Sequence, residues 1–159
     1  MNSYSQGNQV PSIDWLITTN SIDLDNYTQE SLSFYTVAAY GNSELQLLYS
    51  TDYNAANAPS NATWTAVPNL TIPQHPSGNA NEVVFEFNDI DISSINGNVY
   101  FAFKYDTSNG EQATRWTVDS FIIEGEQNLS NSTEQQLAFS IYPNPSQGRF
   151  NISLPSKAE

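Results

Sequence analysis

The chain has 159 residues, 17 Asp and Glu against four Lys and Arg, a net charge of −13, and no cysteine. That length holds one ordinary domain with a real core, and hardly two. The negative field repels nucleic-acid backbone and anionic membrane surfaces, and the missing cysteines exclude disulfides, thiolate chemistry and Cys-based zinc. Aromatic residues reach 13%, which argues against wholesale disorder. No apolar run is long enough for a membrane-spanning helix. Residues 1–10 have neither the basic segment nor the apolar stretch of a secretory signal.

The dominant period along the chain is two. Residues 13–18 are a short strand candidate. Residues 32–40 alternate Leu32, Phe34 and Thr36 against Ser33, Tyr35 and Val37, and residues 44–49 carry Leu45, Leu47 and Tyr49 in one phase. With Gly41-Asn42-Ser43 between them, these two segments read as a hairpin. Further strand candidates are residues 63–67, 82–87, 99–105 and 114–123, separated by turn-rich loops at 54–61, 73–80 and 106–111. Seven strands without a convincing helical period predict an all-β, antiparallel β-sandwich over residues 1–125.

Composition changes after Gly125. Residues 126–136 are polar and read as a linker. Residues 137–159 then open a new strand-turn-strand element around Pro143-Asn144-Pro145-Ser146-Gln147-Gly148. Two strands alone are marginal in water, so this hairpin is expected either to dock on the main domain or to open a second domain that these residues do not complete.

The stretch Ser140 to Ser153, with Tyr142, Pro143, Asn144, Pro145, Gly148 and Phe150, resembles the opening of the C-terminal sorting domain of the Bacteroidetes type IX secretion system. Only the start of that domain is matched, so the resemblance implies a truncated one. The segments D14-W-L-I-T-T, L32-S-F-Y, L48-Y-S-T-D-Y, A62-T-W-T, V99-Y-F-A-F-K-Y and W116-T-V-D-S-F resemble, in order, the choice-of-anchor J family. That family is related to cleaved-adhesin domains and similar to MAM-type sandwiches. The resemblance implies a jelly-roll-like sandwich that can lack its first, edge strand, with Met1 an internal methionine. It also implies a secreted or surface-attached bacterial protein whose parent can be a nuclease or protease.

Catalytic chemistry finds little support. The one histidine, His75, lies on a loop and is expected to face solvent; no G-x-S-x-G elbow, HExxH or phosphate loop is present. Asp89 and Asp91 read as a solvated strand edge rather than a glycosidase pair. The segment is expected not to be an enzyme.

Two binding chemistries stay open. Calcium takes six to eight hard oxygens. Asp119 is the first candidate ligand, because a charge inside an aromatic-aliphatic strand needs a cation or donors if buried. By resemblance, the matching aspartate in calcium-binding relatives is a ligand; Asp14 and Asp52 follow. Strict alternation puts Asp119 with Thr117, Phe121 and Ile123, and Trp116 with Val118 and Ser120. Carbohydrate binding would use exposed aromatics against sugar faces. Trp64, Tyr53 and Tyr105 are the candidates, with Tyr35 and Trp116 considered; Trp15 and Trp116 are expected to be structural.

The expected whole is a non-catalytic accessory module stabilised by structural calcium. Its alternatives are a carbohydrate-binding module of a secreted hydrolase, or part of a secreted nuclease or protease. Its expected partners are a glycan or protein at the cell exterior, and the type IX machinery through a complete C-terminal domain. Nucleic acid and membrane insertion are not expected.

Overall fold

A computed structural model describes residues 1, 4–5, 7–76, 80–110, 112–127, 140–142 and 151–153, with 4–5, 140–142 and 151–153 described by backbone alone. The chain forms two compact units, Met1–Asn128 and Leu129–Glu159. In the first, the strands are β1 (Tyr4–Ser5), β2 (Asn8–Gln9), β3 (Ile13–Ile17), β4 (Ile22–Asp23), β5 (Tyr27–Tyr40), β6 (Leu45–Ser50), β7 (Thr65–Ala66), β8 (Val83–Asp91), β9 (Asn98–Asp106) and β10 (Thr114–Gln127). The second contains β11 (Ser140–Tyr142) and β12 (Asn151–Ser153). Among the described residues the only helical turn is Pro59–Asn61.

Two antiparallel sheets make the sandwich. One has the order β10-β5-β8; the other runs β3-β9-β6-β7, with β4 also on β9. Alternation decides which side chains go in. On β9, Val99, Phe101, Phe103 and Tyr105 are buried, and on β5 the same holds for Leu32, Phe34, Thr36 and Ala38. The sheets meet through rings: Phe34 lies edge-on to Phe103 at 5.2 Å and stacks on Phe87 at 4.6 Å. Each such buried aromatic contributes about 1.5–3 kcal/mol through the area it removes from water.

The strand predictions over residues 13–18, 32–40, 44–49, 82–87, 99–105 and 114–123 correspond to β3, β5, β6, β8, β9 and β10. The hairpin predicted from Gly41-Asn42-Ser43 does not form. β5 pairs with β10 and β8, whereas β6 pairs with β9 and β7, so the chain crosses between sheets at this point. Tyr40 turns the chain with φ of 72°. Gly41, Asn42 and Ser43 then donate their backbone N–H groups to the carbonyls of Ala113 and Gln112. A Cβ at Gly41 would stand 2.1 Å from the Gln112 carbonyl oxygen, so only glycine fits this close approach.

Around the crossing, Thr114 N–H is held by the Ser43 hydroxyl and the Tyr105 hydroxyl, at 3.1 and 3.0 Å. Trp116 donates its indole N–H to the Ser43 carbonyl at 3.1 Å. His75 is 1% exposed, contrary to the expected solvent-facing loop residue. Its ring nitrogens lie 3.2 Å from the Gly41 carbonyl oxygen and 3.0 Å from that of Asn81, which ties the loop to the crossing.

β10 runs two residues past Gly125, into the stretch read as linker. In the second unit, β11 and β12 pair antiparallel with Ile141 opposite Ile152, as the strand-turn-strand pattern predicts. The turn residues Pro143, Asn144, Pro145 and Gly148, and Phe150, lie outside the described residues.

An aromatic row on the outer face as candidate functional site

The five-stranded sheet has a second face, turned away from the core. Because Phe101, Phe103 and Tyr105 point in, Tyr100, Ala102 and Lys104 point out. Trp15 pairs with Lys104, and Ile17 with Ala102, so they share that face. At the far side, Thr65 pairs with Tyr49, which places the preceding Trp64 outward as well. The short side chains of Ala102 and Ser50 keep this face shallow between the strands. Both are nonetheless buried, at 0% and 1% exposure.

Four rings adjoin one another here. Trp15 and Trp64 are 5.2 Å apart between centroids, Trp64 and Tyr53 5.3 Å, and Tyr53 and Tyr100 5.1 Å. Each of the four residues is half-buried. Lys104 places its ammonium 5.6 Å from the Trp15 ring centre and pairs with Asp106 at 3.1 Å.

Local hydrogen bonds fix the row. The Trp64 indole N–H donates to the Pro59 carbonyl at 2.9 Å, at the start of the helical turn. Asp52 accepts from the Ser50 hydroxyl at 2.7 Å and from Thr63 N–H at 2.9 Å, which ties the end of β6 to the residue before Trp64. Those bonds, the Ser50 hydroxyl first, hold the Asp52 carboxyl below the ordinary carboxylate value. The planes of Trp15 and Trp64 incline by 39°, and those of Trp64 and Tyr53 by 44°, so the row is twisted rather than flat.

Of the predicted sugar-contacting residues, Trp64 and Tyr53 stand side by side in this row. Tyr105 does not: it is wholly buried, with its hydroxyl on Thr114 N–H, so the expectation that it faces a ligand is corrected. The in-phase position of Tyr105 with Phe101 and Phe103 is the reason. Trp116 is core, as expected, at 2% exposure. Trp15 is not core but the first ring of the row; its alternation with Leu16 and its place opposite Lys104 carried that signal. Tyr100 has no such signal of its own, lying in the outward phase between the buried Val99 and Phe101.

The three predicted calcium ligands sit on separate elements and each is already engaged. Asp14, on β3, accepts from the Ser12 hydroxyl at 3.5 Å. Asp52 serves the loop bonds above. Asp119 accepts from the Tyr35 hydroxyl at 2.8 Å and from Ser120 N–H at 2.6 Å. The Tyr35 hydrogen bond, first, and that of Ser120 hold the Asp119 carboxyl below its ordinary value, while the same bond raises the Tyr35 hydroxyl. Among the described residues no group of three or more His, Asp and Glu comes together.

Asp119 also does not share a face with Phe121. The pairing of β10 with β5 shifts between Asp119 and Ile122, with Ser120 at φ of 52°. This bulge resets the phase. Val118, Phe121 and Ile123 pack on the core beside Trp116, and Asp119 stays outside, opposite Tyr35.

The family described as Domain of unknown function (DUF5017) matches residues 20–142, most of the chain, which include Tyr53, Trp64 and Tyr100 but not Trp15. No curated protein matches the chain.

Proposed function

The chain belongs to the DUF5017 family, and from that premise we propose that it is a non-catalytic glycan-binding module. The observation that carries this reading is the contiguous aromatic row Trp15–Trp64–Tyr53–Tyr100 on the outer sheet face. The C–H faces of a pyranose stack on indole and phenol rings, and adjoining rings offer successive sugars successive platforms. Rings already held by packing and by the Trp64–Pro59 bond lose little freedom on binding, which favours affinity. The net charge of −13 favours neutral glycans over acidic ones. The twist of the row suits a single soluble chain better than a flat crystalline surface.

Titration with soluble neutral polysaccharides, followed by calorimetry and tryptophan fluorescence, tests this. Saturable binding with a changed indole emission, lost in Trp64→Ala, is the expected result. No binding across glucans, xylans and mannans would overturn it.

We read the module as part of a choice-of-anchor J-like accessory region and Tyr142, Pro143, Asn144, Pro145, Gly148 and Phe150 as the start of a type IX sorting domain. That reading places the protein at the outer surface of the cell or outside it. Fractionation of the producing bacterium tests the location. Replacing Pro143, Asn144 and Pro145 by alanine is expected to keep the protein inside.

A further inference from the structure

Along one side of the sandwich the three-stranded sheet stops short of the sheet it covers. Among the described residues β10 is its outermost strand there, and β3 is an outermost strand of the other sheet. Leu16 on β3 pairs with Phe103 and so shares its inward phase, yet Leu16 is 51% exposed and Phe103 only 4%. Between the two edges lies a cleft of about 320 Å³, lined mainly by Leu16, Phe101, Phe103, Val118 and Phe121. An inward-phase leucine stays open to solvent here because no described strand lies beyond β10 to cover it.

The kind of cover is indicated at Trp116. Met1 donates its N–H to the Trp116 carbonyl at 2.8 Å, and Trp116 donates its own N–H to the Met1 carbonyl at 3.1 Å. This reciprocal pair is one rung of an antiparallel ladder, and the Met1 side chain packs on the core. Every second residue of an extended strand turns its N–H and C=O to the same edge, so Val118 repeats the geometry of Trp116. No described residue bonds to the Val118 backbone on that edge. A strand laid antiparallel along it would pair with Val118 and turn the side chain opposite inward, over Leu16. The left-handed Ser120, with φ of 52°, keeps such a ladder short.

Charge selects the strand. Asp119 is the one charged side chain in the lining of the cleft, and Glu124 and Glu126 stand exposed further along β10. A second copy of this chain, at a net charge of −13, would set its carboxylates against these. A strand with basic side chains in its outward phase would meet them with opposite charge. Its inward phase must be apolar, to match the phenylalanines and Leu16.

We propose that the free edge of β10 takes up an extended strand of a partner polypeptide, alternating basic and apolar side chains, with one apolar side chain seated in the cleft over Leu16. Main-chain bonds to the edge supply affinity and the alternate side chains supply specificity, as in strand addition generally. The proposal is independent of the glycan reading, because the cleft opens between the sheets and the aromatic row lies on the outer face of one of them.

The test is an NMR titration of the full chain with a blocked heptapeptide of alternating lysine and valine. Two further peptides serve as controls, one with glutamate for lysine and one with its valine amides N-methylated. With the lysine peptide, saturable shifts at the Val118 amide and the Leu16 methyls are expected, with slowed exchange of the Val118 N–H. The glutamate peptide should bind more weakly, and the N-methylated peptide, which lacks the edge donors, should not bind. Leu16→Arg, at a half-exposed position, puts a cation in the cleft and should lower affinity about tenfold, the scale of one lost anchor. Val118→Pro removes the edge donor while sparing the ladder to β5, and should abolish binding. If Val118→Pro does not fold, Leu16→Arg decides. Trp64→Ala should leave peptide binding unchanged. No saturable shift, shifts centred elsewhere, equal affinity for the glutamate peptide, or undiminished binding by a folded Leu16→Arg would each overturn the proposal. Dimerisation of the free chain that protects the same amides would also overturn it, assigning the edge to a second copy.

Discussion

Trp15 and Trp64 lie 5.2 Å apart between ring centres, one on an edge strand and the other just before β7 at the opposite edge of the same sheet. Two indoles at that distance, on a face turned to solvent, bridge the sheet from outside. Their contact is worth about 0.5–1.5 kcal/mol beyond the area it buries. A double-mutant cycle with Trp15→Ala and Trp64→Ala, followed by urea denaturation, is expected to return a coupling of that size. Each single variant should lose glycan binding while remaining folded. A coupling near zero would mean that the rings merely adjoin.

Gly41→Ala is expected to destabilise the sandwich by about 2–3 kcal/mol or more, the scale of forced overpacking. The added methyl would meet the Gln112 and Ala113 carbonyl oxygens at 2.1 and 2.5 Å, and backbone cannot rotate away as a side chain can. The corresponding control is Gly97→Ala, where nothing stands within 4 Å but φ is 90°. Its cost comes from backbone conformation alone and should be smaller, about 1 kcal/mol. Thermal melts of the two variants compare steric with torsional cost.

The carboxyls of Asp119, Asp52, Asp91 and Asp106 all sit below their ordinary value of 3.8. For each, the unfolded chain takes up a proton first as pH falls. Their stabilising contribution is therefore present above that value and lost as pH drops through it and through the lower folded values. Tyr35 has the opposite sign. Its hydroxyl donates to Asp119 and is raised above 10.0, so its contribution is present below pH 10.0 and lost at higher pH. Melting temperature plotted against pH should fall at both ends. Tyr35→Phe should weaken the acid limb and abolish its share of the alkaline one.

His75→Ala is expected to cost about 2–4 kcal/mol, combining a cavity with lost tethers to buried carbonyls. Urea denaturation checks this. An unchanged midpoint would show that neither the packing of the ring nor its two contacts support the fold.

The strands were legible because a period of two in apolar side chains is what a half-buried strand requires. Where the pattern failed, a local break had intervened. Gly41-Asn42-Ser43 has hairpin composition, yet the space it enters, against the Gln112 and Ala113 backbone, is set by residues far along the chain. The bulge at Ser120 shifted Phe121 to the core side, and nothing in a row of Val, Asp, Ser, Phe marks where a left-handed residue falls. Asp89 does the same on β8, with φ of 53° and its N–H on the Ser33 hydroxyl. The aromatic row is half legible: Trp64 and Tyr53 follow an Asn-rich loop and a turn and read as candidates for exposure, whereas Trp15, an indole inside a strand, reads as structural.

β10 stands at the edge of its sheet, where the backbone of Met1 bonds both ways with Trp116. Fourteen residues of extended chain at an edge are a template for cross-β stacking with other copies. This edge is guarded by the kink at Ser120 and by the exposed charges of Asp119, Glu124 and Glu126, which a second copy would have to bring against its own. The guard is electrostatic over much of its length, so it weakens as the carboxylates take up protons. Acid would therefore do more than loosen the fold: it would license molecules to pair edge to edge, and fibrils rather than monomeric unfolded chains are the expected end state of a concentrated solution at low pH.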